Sequence, residues 1–297
     1  MKSGQQSSLM EVIMKNFGIF FNPKYAHKKT IFDSLKNLYE NMDFKYFKLS
    51  EQNEFLPDFI KPIETTEKVK LDCILVFGGD GTILRALHFA LKSSAPILGI
   101  NLGKLGFLSE IKVSELEKSI EDLKKNKFKV QSRMLLKASI KRKGKMIFSS
   151  LALNDAVVYK GQVPKLIDIR VCSNRRFVVE TRCDGIIAAT PTGSTAYSLS
   201  AGGPILSPVM DAIVIAPLSP HILSVRPMVF SSKDVLSFKV KEIPYETILQ
   251  LDGQNTHALQ TNDEIIITAA HQKVDFIKLS NKTFYQVLRK KLHMGKR

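Results

Sequence analysis

Over the first 125 or so residues, short apolar runs alternate with segments of helical spacing. Residues 17–21, 70–77 and 96–101 read as strands. Residues 30–40, where Ile31, Leu35 and Leu38 recur on one face, read as a helix, as do 82–92 and 113–125. Strand followed by helix, repeated, predicts a parallel sheet whose ligands sit beyond the carboxyl ends of its strands. On that reading Asp80 and Asn101 lie at two such ends and are expected to face one crevice.

After about residue 130 the period changes to two. Residues 135–141 with 145–153, and 166–172 with 177–181, predict two hairpins, and short strands follow at 235–240, 247–251, 264–268 and 274–279. The expected fold class is therefore α/β plus all-β. An N-terminal parallel α/β domain (1–130) precedes a C-terminal β-sandwich domain (131–280), and a helical tail (281–297) returns to the first domain. With no long linker in the sequence, the domains are expected to pack with a cleft between them.

Composition narrows the partners. The chain has 297 residues, 44% of them hydrophobic, enough for one large core or two medium ones. Its apolar run at 212–218 is far short of the roughly 20 residues that span a bilayer. The opening MKSGQQSSLMEVIMKN has no continuous apolar core, so neither a signal peptide nor membrane binding is expected. Cys73, Cys172 and Cys183 are odd in number and lack metal-ligand spacing, which points to structural thiols in a reducing cytoplasm. The formal charge of +16 favours anionic partners. The clusters at 141–143 and 289–291 do not alternate with aromatics, so nucleic-acid binding is not expected.

The chemistry begins at Phe77-Gly78-Gly79-Asp80-Gly81-Thr82, between an apolar run and a helical pattern. Glycines let backbone N–H groups approach phosphate oxygens, and the helix start favours the anion. Asp80 repels phosphate, so it would hold a metal, accept a proton or orient a hydroxyl. An αβ turn with Asp80 as N-cap accounts for the same residues. Residues 190–204, TPTGSTAYSLSAGGP, gather hydroxyls, small residues and Tyr197, and predict a turn followed by a helix over 194–201. That would offer N–H groups and a ring able to stack on a base; a capped surface helix is the alternative. Asn154-Asp155 can read an adenine edge and chelate ribose hydroxyls, or make an ordinary Asx turn. The chain has no GxxxxGK[ST] loop and no GxGxxG; Gly99, Gly103 and Gly106 have other spacing.

Together GGDGT, NLGKLGFL (101–108), NDAVV (154–158), the segment 183–206 and LDGQ (251–254) resemble the NAD kinase family over nearly the whole chain. GGDGT is shared with lipid kinases and phosphofructokinase-like enzymes; the long hydroxyl-rich segment is specific. The resemblance implies phosphoryl transfer from ATP to the 2′-hydroxyl of the adenosine ribose of NAD, giving NADP. It implies Asp80 as general base, with Gly78, Gly79 and Gly81 beside the phosphates. It places Asn154 and Asp155 on adenosine and its ribose. Asp184, Thr195, Ala196, Tyr197, Ser198, Leu199 and Ser200 fall in the dinucleotide pocket, with Gln254 a further contact. Arg85, Lys165 and Arg182 match positions of basic or polar ligand contacts, although plain surface charge explains them too. His221 is read as a packed loop histidine. A divalent cation, Mg²⁺, would bind mainly through ATP, with no protein metal site, since few carboxylates converge. A homodimer or homotetramer is implied by the family alone. Two other readings stay open. A lipid or small-molecule kinase leaves residues 190–204 without a role, and a basic nucleic-acid binder requires a steep inverse salt dependence.

Overall fold

The computed structural model describes residues 14–25, 28–42, 44–49, 52, 56–63, 69–103, 106–162, 164–222, 224–241 and 246–295. The chain forms two compact units, Met1–Gln131 with Asp275–Arg297, and Ser132–Val274.

The first unit carries β1 (Asn16–Phe21), α1 (Lys28–Met42), β2 (Lys45–Lys48), β3 (Lys61–Pro62), β4 (Cys73–Phe77), α2 (Asp80–Ser93), β5 (Ile97–Asn101), β6 (Ile111–Lys112) and α3 (Leu116–Lys124). The strands run parallel in the order β3-β2-β1-β4-β5. Every residue of β4 is fully buried, the unbroken apolar run expected of a central strand covered on both faces. On one face Phe17, Ile19, Phe21, Leu75 and Phe77 pack with Ile31 and Leu35 of α1 and Leu116, Ile120 and Leu123 of α3. On the other, α2 buries Ile83, Ala86, Leu87, Phe89 and Ala90. Gly18 keeps that face close: a Cβ there would stand 3.0–3.1 Å from Leu71, Ile74 and Phe89.

The second unit contains β7 (Lys129–Arg142), β8 (Lys145–Ala152), β9 (Asp155–Tyr159), β10 (Ile167–Ser173), β11 (Arg176–Cys183), β12 (Gly185–Ala189), α4 (Tyr197–Ser200), β13 (Ala212–Leu218), β14 (Met228–Ser231), β15 (Leu236–Val240), β16 (Ile248–Leu251), β17 (Asn255–Ala258) and β18 (Glu264–Lys278). One sheet is antiparallel in the order β14-β13-β12-β9-β16-β17. The other contains β11-β10-β15-β18 and the β7–β8 hairpin. Val158, Ile186, Ile213 and Leu249 from the first meet Ile169, Val171, Phe238 and Ile265 from the second in one core. Arg142 closes the hairpin by a two-pronged ion pair to fully buried Asp263, 2.8 Å at each contact. The last residues of β18, from Asp275, belong to the first unit, where Phe276 pairs in parallel with Ile97. Helix α5 (Phe284–Leu292) follows, and Phe284 packs against Phe107 at 6.5 Å between ring centres.

Several sequence-based boundaries move. Residues 264–268 and 274–279 form one 15-residue strand, not two. The polar stretch His271-Gln272-Lys273 is solvent-exposed in mid-strand and holds no glycine or proline to turn the chain. The helix expected over 194–201 shrinks to a 3₁₀ turn at Gly193–Thr195 and the single turn α4. Residues 113–115 are likewise a 3₁₀ turn ahead of α3. No described helix is long and apolar enough to cross a membrane.

Candidate active site

In the first unit the glycine turn stands at the carboxyl end of β4. Gly78 N–H donates to the Ile100 carbonyl at 2.9 Å, holding the turn to the neighbouring strand. The N-cap of α2 is Gly79, and Asp80 is the first helical residue. Asp80 therefore does not cap the helix as the alternative reading had it. Its carboxylate reaches sideways instead: Phe107 N–H donates to Oδ2 at 2.9 Å and Leu108 N–H to Oδ1 at 3.1 Å. Gly106 makes this possible, since a Cβ there would lie 1.9 Å from Asp80 Oδ1. Gly79 and Gly81 are exposed, and a Cβ on either would meet nothing within 4 Å, so backbone on the open side of the turn is bare.

Asn101, at the end of β5, does not face the open side with Asp80. It is buried and ties its own loop, donating through Nδ2 to Ser109 Oγ (3.0 Å) and accepting Gly103 N–H at 2.6 Å. Ser109 Oγ also accepts Gly106 N–H at 3.1 Å. Lys104 and Leu105 of the NLGKLGFL motif lie outside the described residues. Next along, buried Glu110 accepts hydrogen bonds from Leu279 N–H (3.1 Å), Ser280 N–H (2.7 Å) and Ser280 Oγ (2.6 Å), and pairs with Lys278. The loop that grips Asp80 is thus fastened to the segment leading into α5. Arg85 is exposed on α2, its Nη2 3.4 Å from Thr82 Oγ1. Gly106→Ala is expected to destabilise the protein by about 1–3 kcal/mol, the cost of overpacking a closed contact, as read from urea unfolding.

In the second unit a knot forms where β8 passes into β9. Asp252, in the turn after β16 at φ +51°, accepts N–H donations from Leu153 (2.8 Å), Asn154 (2.7 Å) and Asp155 (3.1 Å). Its own N–H returns to the Asp155 carbonyl at 2.9 Å. Thr190 donates its hydroxyl to the Leu153 carbonyl (2.6 Å) and its N–H to the Asn154 carbonyl (2.8 Å). Gly193 donates to Thr190 Oγ1 at 2.9 Å and presses so close that a Cβ would lie 2.0 Å from the Asn154 carbonyl oxygen. Burial, then the neighbouring charge of Asp252, pushes Asp155 up to about 7. Burial also raises Asp252, but its three N–H donors oppose that shift. Asp252, with its carboxylate accepting three N–H donors, is accordingly the member of the pair that ionises first as pH rises.

Tyr197 stands on α4 with nearly half its surface exposed; burial, then Tyr159, Asp155 and Asp184, raises its phenol. Asp184 pairs with Lys160 at 2.6 Å. Thr195 and Ala196 are half-buried ahead of α4, Leu199 is half-buried within it, and Ser200 is exposed. Ser198 is fully buried, and its hydroxyl has no partner among the described residues. Gln254 is exposed in the Asp252 turn, its N–H donating to the Leu251 carbonyl at 2.9 Å. The structure thus gathers Asn154, Asp155, Asp184, Tyr197 and the Gln254 turn on the β9–β12–β16 side of the unit. Arg182 starts from the other sheet, exposed on β11 opposite Asp168, and Lys165 is exposed just before β10. The backbone carbonyl of Arg182 accepts the His221 N–H at 2.8 Å. Sequence reasoning passes over Asp252 and Lys160, and places Thr190 and Gly193 in a turn without their contacts to Leu153 and Asn154. The Asp-Gly turn within LDGQ is the one local signal for Asp252; the Leu153, Asn154 and Asp184 partners of the others are too distant in sequence to read.

The chain matches the family model for the ATP-NAD kinase N-terminal domain over residues 6–128 and that for the C-terminal domain over residues 153–279. It is 44% identical to an NAD kinase of Desulforamulus reducens over 221 residues, 74% of this chain and 77% of the relative. An NAD kinase of Magnetococcus marinus is 39% identical over 234 residues, 79% and 77% of the two chains. Among solved structures, yeast NADH kinase complexed with NADH superposes with a TM-score of 0.83 at 25% identity, covering 96% of this chain and 89% of that one. An Archaeoglobus fulgidus NAD kinase in complex with ATP gives 0.68 at 25% identity, covering 94% and 98%. The glycine turn ahead of α2 and the hydroxyl-rich stretch ahead of α4 both lie inside the matched segments, and the chain belongs to the NAD kinase family.

Proposed function

We propose that this protein transfers the terminal phosphoryl group of ATP to the 2′-hydroxyl of the adenosine ribose of NAD, forming NADP. Family membership supports the reaction. The observation that carries the assignment of chemistry is the placement of Asp80 at the first residue of α2, between two bare glycines at the carboxyl end of a parallel strand. Such a turn offers N–H groups and the positive end of a helix to phosphate oxygens. Asp80 is the base that accepts the hydroxyl proton. Phosphoryl transfer tolerates a weak base, because its loose transition state depends chiefly on alignment and charge neutralisation.

The second unit holds the dinucleotide in this reading. Asn154 and Asp155 hold the ribose and adenine edge, Tyr197 stacks on a base, and Asp184, Thr195, Ala196, Ser200 and Gln254 complete the pocket. Ser198 and Leu199 shape it from within, and Arg85, Lys165 and Arg182 are peripheral cations. Among the described residues no three His, Cys, Asp or Glu side chains converge as a metal-ligand set. A divalent ion would be carried by the triphosphate, where it offsets phosphate charge. The Archaeoglobus relative bound ATP and the yeast relative NADH, which supports both substrate classes here. Three free cysteines suit a reducing cytoplasm, and a homodimer or homotetramer is the expected assembly. Incubation of the purified protein with γ-labelled ATP and NAD is expected to place label in NADP. Label entering a diacylglycerol but not NAD overturns the proposal.

A further inference from the structure

At the opposite end of the first unit's sheet from the glycine turn lies a cavity of about 450 Å³. Asn16, Lys45 and Lys61, the first residues of β1, β2 and β3, line it, which places it at the amino ends of strands whose carboxyl ends lead toward Asp80. Its size falls in the range of small-molecule sites.

The lining divides into rings and cations. Tyr39, Tyr46 and Phe59 form a mutual aromatic cluster with centroids 6.0–6.3 Å apart. Lys45, Lys61 and Lys70 are exposed around it, and among the described residues none has an ion-pair partner. Tyr46 is almost wholly buried, yet its phenol oxygen has no hydrogen-bond partner among the described residues. Burial raises that phenol, so it remains a neutral donor. The rim is fixed rather than loose: Asn16 Nδ2 donates to the Lys70 carbonyl at 3.1 Å, and Asp72 accepts the N–H groups of Lys15 and Asn16, both at 2.9 Å. With no ion-pair partner among the described residues, the three lysines that line this mouth favour an anion there. Aromatic faces beside cations recognise a flat ring that carries negative charge.

We propose that this cavity is a second small-molecule site, separate from the phosphoryl-transfer site, which takes an organic anion of mononucleotide size: a flat ring bearing a phosphate. The test uses AMP as probe, titrated calorimetrically into the full chain saturated with NAD and a non-hydrolysable ATP analogue. One equivalent of AMP is expected to bind under these conditions. Adenosine, which lacks the charge, and inorganic phosphate, which lacks the ring, are each expected to bind at least tenfold more weakly. The double variant Lys45→Glu with Lys61→Glu is expected to weaken AMP at least tenfold while NAD phosphorylation stays within twofold of the parent. Tyr39→Ser, a change at an exposed ring that leaves the core alone, weakens AMP without altering the charge. Absence of AMP binding once both substrates are saturating overturns the proposal, as does equal affinity for adenosine, or unchanged affinity in both variants.

Discussion

Asp80→Asn is expected to lower kcat for NAD phosphorylation by about two to four orders of magnitude, the usual worth of a positioned general base. Asparagine preserves the size and shape of the side chain but cannot take the ribose proton. The structure adds a second consequence. Asp80 now offers one oxygen to each of two backbone N–H groups, Phe107 and Leu108. An amide keeps one acceptor and turns an NH₂ toward the other N–H, so one of the two bonds becomes a donor–donor clash. That loss reports on stability, at about 1–3 kcal/mol for a backbone donor left unsatisfied. The two roles are thereby separable: turnover reads the base, and urea unfolding reads the loop. A variant that loses stability yet keeps kcat within tenfold of the parent makes Asp80 an anchor for the 106–109 loop and rejects it as the base.

The dual engagement of Asp80 also marks where sequence reading stopped. The turn, its helix and its strand are contiguous, and the all-buried run of β4 advertises a central parallel strand by composition alone. Partners 27 and 28 residues away leave no local trace, so the loop contact was invisible, and Asn101 was credited with facing a ligand when it closes that loop. Short strands escape sequence reading for a related reason. β2, β14 and β17 are four residues each, and their ladders come from neighbours rather than from a strong apolar pattern of their own. The opposite error concerns β18, where the exposed polar stretch 271–273 reads as a break although the strand runs unbroken from Glu264 to Lys278. In the second unit the motif residues were found individually, but the Asp155–Asp252 pair joins positions 97 residues apart. Only the fold reveals that two carboxylates share that corner.

That pair gives the second large effect: Asp155→Asn is expected to flatten the pH dependence of stability between pH 4 and pH 7. Asp155 is almost wholly buried, and in the folded protein it rises from 3.8 to about 7. Because the folded value lies above the unfolded one, the folded state binds more protons throughout this window. The group's contribution to stability is fully present below about pH 4 and is lost as pH rises through 7. A shift of this size corresponds to about 4 kcal/mol at most. Asparagine at 155 has no proton to lose, so the advantage of the parent over the variant at pH 4 should shrink steadily, and at pH 8 the variant should be relatively more stable by up to that amount. Subtracting one urea-unfolding series from the other across pH 4 to 8 removes the shared groups that titrate alike in both proteins and leaves Asp155 together with Asp252, which is coupled to it. Parallel curves over that interval would mean that Asp155 ionises as an ordinary surface carboxylate. The corner would then be held by the N–H groups of Leu153, Asn154 and residue 155 donating to the Asp252 carboxylate, with no protonated partner beside it.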